Sequence, residues 1–169
     1  MPAIGSGFPE LIICPQRFFP SPAPTRIASP TITINREATP VDQTLQVRQA
    51  AADLVAAFAS NDTARYFACF SEDATFLFHT VPQPLLSRRA YEDLWASWQA
   101  DGFAVLGCES SNAQVSQQGD VAIFMHDVAT RLRVAGEVLD LSERETIVFR
   151  LHGERWLACH EHLSVVSPS

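Results

Sequence analysis

The sequence contains no lysine: all 12 basic residues among its 169 are arginine. That absence excludes a Schiff-base lysine and a lysine-dependent phosphate loop. Cysteine is scarce, with Cys14, Cys69, Cys108 and Cys159 and no C-x-x-C pair. A disulfide framework or a zinc knuckle is therefore not expected. No apolar run approaches the roughly 18 residues of a membrane span. The glycine fingerprint of dinucleotide binding, the G-x-S-x-G elbow, the H-E-x-x-H pair and the Walker loop are all missing. Positive charge is in short supply too: 12 arginines face 19 acids, a net of −7. A phosphate backbone demands a basic face, so nucleic acid is not an expected partner.

What is present is unevenly spread. Eight of the 11 prolines lie in the first 40 residues, with three arginines and two acids, a net of +1. The remainder carries nine arginines and 17 acids, a net of −8. Residues 1–40 thus read as a proline-rich leader, expected to be disordered. Residues 41–166 read as an acidic domain and 167–169 as a tail. The leader has no arginine before Arg17, and its apolar core is only Leu11-Ile12-Ile13-Cys14. That does not match a secretory signal, so a cytoplasmic location is expected. Pro20, Pro22 and Pro24 favour an extended, solvated chain, either a bland tail or a docking segment.

Within the domain, hydrophobic periodicity predicts three helices. Val47, Ala51, Leu54, Val55 and Phe58 form one stripe over 43–59, with Asp42 as its N-cap. Asp62 caps a short second helix over 63–70. Ser87 caps a third, ending near residue 100, with the stripe Ala90, Tyr91, Leu94, Trp95 and Trp98. Between the second and third helices, residues 74–79 read as a strand. Four β-rich segments follow, over 103–115, 120–133, 138–151 and 154–166. The expected turns are Gln118-Gly119, Ala135-Gly136 and His152-Gly153. The class is α+β, with a concavity between sheet and helices that suits a ligand.

Three stretches resemble a known family: Leu54 to Asp62, Phe70 to Phe76, and Trp156 to Ser164. In this order of elements they are similar to SnoaL-like, or ketosteroid-isomerase-like, domains of the nuclear transport factor 2-like superfamily. The closing stretch also resembles kinase association domains. The resemblance covers roughly residues 43–166. It implies a cone-shaped, curved antiparallel sheet wrapped by three N-terminal helices, a cystatin-like α+β barrel. It also implies a homodimer through the convex face of the sheet, and a small-molecule pocket on the concave face, with no cofactor and no metal. Ketosteroid isomerases use an Asp base with a Tyr and a protonated Asp as oxyanion hole. Alignment puts those three roles on Phe78, Leu54 and Thr146, none of which can perform them. Steroid-isomerase chemistry is therefore not expected.

Hairpin arithmetic supplies other candidates. A two-residue turn at Ala135-Gly136 pairs Asp127 with Arg144 and Met125 with Thr146. A two-residue turn at His152-Gly153 pairs Arg144 with Glu161 and Thr146 with Cys159. Positions two apart share a face, so both rows should line the cavity if Thr146 does. A one-residue slip would reverse the faces. Asp127, Arg144 and Glu161 then form either a catalytic cluster or a salt-bridge row that merely closes the sheet. The expected pocket adds Leu54, Tyr66, Phe78, His79, Trp95, Met125, Thr146 and Cys159. His126, Glu145 and His160 fall on the opposite face. With His162 they have the residue types of a metal site, but strands two apart are about 10 Å apart. The expected function is small-molecule binding. The alternative is a cofactor-independent isomerase, cyclase or hydrolase using Arg144, Glu161 and Asp127 on an apolar substrate.

Overall fold

A computed structural model describes residues 40–166, with side chains from residue 43 onward. The proline-rich leader before Pro40 and the tail 167–169 lie outside the described residues. The elements are α1 (Pro40–Ala59), α2 (Thr63–Phe67), β1 (Phe70–Phe78), α3 (Arg88–Ala100), β2 (Ala104–Gln118), β3 (Val121–Val134), β4 (Glu137–His152) and β5 (Arg155–Val165).

The helices form where their stripes and caps dictate. Val47, Ala51, Leu54 and Ala57 of α1 are buried at helical spacing. The helix begins at Pro40 rather than after Asp42. A proline suits a first turn, where its missing N–H has no intrahelical acceptor anyway. Asp62 Oδ1 accepts from the Arg65 amide at 3.0 Å and starts α2. Ser87 Oγ accepts from the Ala90 amide at 3.1 Å and starts α3. Of the α3 stripe, Tyr91 and Trp95 are buried.

The five strands make one sheet in the order β1-β5-β4-β3-β2. Strands β2 to β5 form the expected antiparallel meander. Strand β1 joins as the parallel neighbour of β5, so the sheet is mixed rather than wholly antiparallel. Strand β1 also starts at Phe70, four residues before the expected Ala74. The helices cover one face, giving the cystatin-like α+β arrangement.

The β3–β4 turn is Ala135-Gly136, with Val134 paired to Glu137. Both turn residues have positive φ, 50° and 89°. That is the twist two-residue hairpins require, and it is why a glycine stands there. The other two turns lie one residue later than expected, at Gly119-Asp120 and Gly153-Glu154, since Gln118 pairs with Val121 and His152 with Arg155.

The core is aromatic. Tyr66, Phe67, Phe70, Phe76, Tyr91 and Trp95 are nearly inaccessible, and the Phe76 and Tyr91 rings lie 4.7 Å apart between centroids. Trp95 Nε1 also donates to Thr63 Oγ1 at 3.1 Å, so its one polar atom is satisfied. Truncating such a residue costs about 3–5 kcal/mol. These rings fix α2 and α3 against β1 and set one wall of a cavity.

Candidate functional site

Between the helices and the concave face of the sheet lies a cavity of about 760 Å³. The helices contribute Leu54, Val55, Phe58, Tyr66, Tyr91, Trp95 and Trp98 to its lining, and the sheet contributes Phe78, Val128, Thr130, Leu132 and Leu163. Into this apolar wall project three carboxyl groups, Glu143, Glu145 and Glu161. All three are buried. Sheet alternation puts Glu143 and Glu145 on one face of β4, about 7 Å apart along the strand.

Glu161 reaches the same face through an irregularity. Phe149 pairs with Ala158, but its neighbour Val148 pairs with His160, so Cys159 is an extra residue in β5. Such a bulge inverts the alternation beyond it. Before it, Trp156 and Ala158 face the core; after it, Glu161 does. Without the bulge the Glu161 side chain would point away from the cavity.

The carboxyl groups are tied to distinct partners. His79 Nε2 bonds Glu143 Oε1. Buried His126 bonds Glu145 Oε2 through Nε2 and Ser110 Oγ through Nδ1, the latter at 2.7 Å. Glu161 shares a hydrogen bond with Glu145. It also accepts one at 3.4 Å from Tyr66, whose hydroxyl lies 3.4 Å from that of Tyr91. Burial, and then the charge and hydrogen bond of Glu145, hold the Glu161 carboxyl well above the ordinary range. Burial likewise lifts both tyrosines and pushes the Cys108 thiol up to about 11. Glu161 thus holds its proton to higher pH than an ordinary glutamate, beside a second carboxyl in an apolar enclosure.

The expected residues divide. Glu161, Leu54, Tyr66, Phe78, His79 and Trp95 line the cavity. Arg144, Asp127, Met125, Thr146 and Cys159 are not among the lining residues. The β3–β4 pairs were as expected: Asp127 opposite Arg144, and Met125 opposite Thr146. These pairs, however, occupy the convex face. Arg144 is exposed, and its guanidinium meets Asp127 at 2.8 Å. Asn112, then Arg144, holds the Asp127 carboxyl below its usual range. On β5, Arg144 pairs with Ser164 and Thr146 with His162, rather than with Glu161 and Cys159. The later turn and the bulge displace that register by three residues, an odd number, which exchanges the faces.

The row assigned to the outer face is corrected in the same way. Glu145 lines the cavity with His126 buried behind it, and His160 lies outside, bonded to Thr75 Oγ1 at 2.8 Å. Among the described residues, no group of three or more His, Cys, Asp or Glu is placed to hold a metal ion. Cys159, the bulge residue, has its thiol raised by burial. Sequence reasoning missed Glu143 and Glu145 as cavity residues and His126 as the buried partner of Glu145. The signal was present as alternation: along β4, Glu143 and Glu145 are in phase with the apolar Ile147 and Phe149.

This architecture has relatives. The model of the SnoaL-like domain matches residues 47–168. The chain belongs to the SnoaL-like family. Solved structures share the fold. An NTF2-like protein from Cytophaga hutchinsonii superposes with a TM-score of 0.64 at 14% identity, covering 73% of this chain and 98% of that one. An NTF2-like protein with a cystatin-like fold from Novosphingobium aromaticivorans gives 0.60 at 18% identity, covering 76% and 85%. A ketosteroid isomerase-like protein from Erwinia carotovora atroseptica gives 0.62 at 16% identity, covering 75% and 98%. At these identities the likeness concerns the fold. No curated protein matches the sequence. No helix among the described residues is long and apolar enough to cross a membrane.

Proposed function

We propose that this SnoaL-like domain binds an apolar small molecule in its cavity and transfers a proton on it, as a cofactor-independent isomerase, cyclase or hydrolase. One observation carries the reading: Glu161, whose proton burial holds above the ordinary carboxylate range, sits beside the second carboxyl Glu145 in an enclosure of apolar and aromatic side chains. A neutral acid donates a proton to a carbonyl, hydroxyl or epoxide oxygen, and the negative charge left on Glu161 is met by the Tyr66 hydroxyl. Tyr66 backs Glu161 with a hydroxyl that burial keeps protonated. The roles first assigned to Arg144 and Asp127 pass to Glu145 and Tyr66, since the former pair lies on the other face.

The test begins with a thermal-shift screen of apolar compounds, both uncharged and amine-bearing. Stabilising compounds are then incubated in deuterated water and followed by proton NMR. Wild type is expected to wash deuterium into the ligand or convert it. Glu161→Gln is expected to slow this by about 10²–10⁴-fold while still being stabilised by the compound. Stabilising ligands with no exchange and no conversion would leave a binding domain without proton-transfer chemistry. An unchanged exchange rate in Glu161→Gln would also overturn the reading.

The same proposal includes a second copy of the chain against the convex face. It is supported by the half-buried apolar residues Ile123, Met125, Val148 and Leu157 there, together with Leu77, which is 40% exposed.

A further inference from the structure

The charged groups of the cavity are of one sign. Asp101, Glu143, Glu145 and Glu161 line it, and no arginine is among the described lining residues. Of the arginines on the sheet, Arg144 meets Asp127, Arg150 meets Asp73 and Arg131 meets Asp140, and neither Arg133 nor Arg155 lines the cavity. Positive charge at the carboxyls can come only from two imidazoles, and each already has a partner. His79 bonds Glu143, and His126 bonds Glu145. Glu161 has no such partner, and its polar neighbours are a carboxyl and a tyrosine hydroxyl.

A buried carboxyl beside another carboxyl ionises only when positive charge is brought to it. The protein brings none to Glu161. The rest of the wall would welcome a cation all the same. Seven aromatic rings face the cavity, Tyr66, Tyr91, Trp95 and Trp98 among them. The π-faces of such rings attract ammonium groups, most strongly where water is excluded. An anionic ligand would meet four acids and no guanidinium.

We infer that the cavity selects a hydrophobic amine, with its apolar body against the aromatic wall and its ammonium group against Glu161 and Glu145. This rests on the reading of the cavity as a ligand site, names the class of ligand, and makes Glu161 a proton acceptor rather than a donor once the amine is bound. The charge balance is explicit. The amine enters as the ammonium ion and stays protonated. The Glu161 O–H bond breaks, its proton leaves to solvent, and the carboxylate pairs with the ammonium. One proton is released for each ligand bound. The titratable groups facing Glu161 are Tyr66 from α2, Tyr91 from α3, Cys108 from β2 and Glu145 from β4, with His126 of β3 behind Glu145. Burial keeps both tyrosines and the thiol protonated at neutral pH.

Three probes of one shape separate the outcomes: 1-adamantylamine, 1-adamantanol and 1-adamantanecarboxylate. Each is titrated calorimetrically into the full chain near neutral pH, in two buffers of different ionisation enthalpy. The amine is expected to bind at least about tenfold more tightly than the alcohol, with the carboxylate weakest. Only the amine should release close to one proton. Glu161→Gln should bring the amine down to the affinity of the alcohol and abolish the release. A circular dichroism spectrum matching wild type shows that the variant is folded. An alcohol that binds wild type as tightly as the amine overturns the inference and leaves the cavity a ligand site. So does an amine preference that survives in Glu161→Gln. If none of the three binds, the reading of the cavity as a ligand site falls as well.

Discussion

Glu161 is where stability and chemistry meet. Its folded-state proton affinity exceeds that of an unfolded carboxyl, first because of burial and then because of Glu145. A group of this kind contributes stability fully below the ordinary carboxylate range, and that contribution is lost as pH rises through its raised folded value. Wild type is therefore expected to lose melting temperature as pH rises above the ordinary carboxylate range. Glu161→Gln keeps a hydrogen-bonding amide and cannot ionise, so it should lose less and be a few degrees more stable at the alkaline end. Parallel pH profiles for the two proteins would contradict a buried neutral acid. The exposed Arg144–Asp127 pair makes the opposite case. Both groups lie on the convex face, so Arg144→Ala should leave ligand-induced stabilisation unchanged in a thermal-shift assay. A loss of that stabilisation would return Arg144 to the site. At this scale the sequence was legible only in part. Tyr66, His79 and Glu161 could be chosen as candidates, but the face Glu161 takes depends on one inserted residue, Cys159, which no periodicity announces.

The elements were easier to read because each carries its own signal. Asp62 and Ser87 could be recognised as caps because a short polar side chain before an apolar stripe satisfies amides that the helix leaves free. Both do so in the structure. Removing either oxygen, as Asp62→Ala or Ser87→Ala, should cost about 1 kcal/mol, measured by urea unfolding. The Asp62 change should matter more at the site. Helix α2 has only five residues, and Tyr66 on it is the hydroxyl partner of Glu161. Equal ligand binding in Asp62→Ala and wild type would mean that aromatic packing alone holds α2. The β3–β4 register was legible for a comparable reason: Ala135-Gly136 offers one good place for a two-residue turn. Glycine at 153 pointed to a turn without fixing its first residue, and the true turn, Gly153-Glu154, displaced every pair on β5. Strand β1 was underestimated because its first half, Phe70-Ser71-Glu72-Asp73, lacks the alternation of a half-buried strand. It is held instead by a shifted register against β5.

Across the whole domain, the helical stripes, the glycine turns and the long final strands were enough to specify an α+β fold with a concavity. They say nothing direct about what covers the other side of the sheet. The charge distribution does bear on it. Residues beyond 40 carry a net of −8, which should oppose self-association. The convex face, however, neutralises itself locally. Arg144 meets Asp127 there, and Arg150 meets Asp73 at 2.8 Å. Between these pairs lie Ile123, Met125 and Val148, partly accessible despite being apolar. A face that is apolar in the middle and charge-matched around it fits a second copy of itself, since a two-fold axis brings the same patch to both sides. Sedimentation should accordingly show a dimer at about 100 µM protein. Met125→Asp places one uncompensated carboxylate from each copy near that centre and should yield a monomer. Because the cavity opens on the opposite face, the monomeric variant should still bind the adamantyl amine within about twofold of wild type. Wild type sedimenting as a monomer would remove the second copy from the proposal. A dimer unaffected by Met125→Asp would place the interface on another surface. Loss of amine binding on dissociation would show that the two faces of the sheet are coupled through β3 and β4.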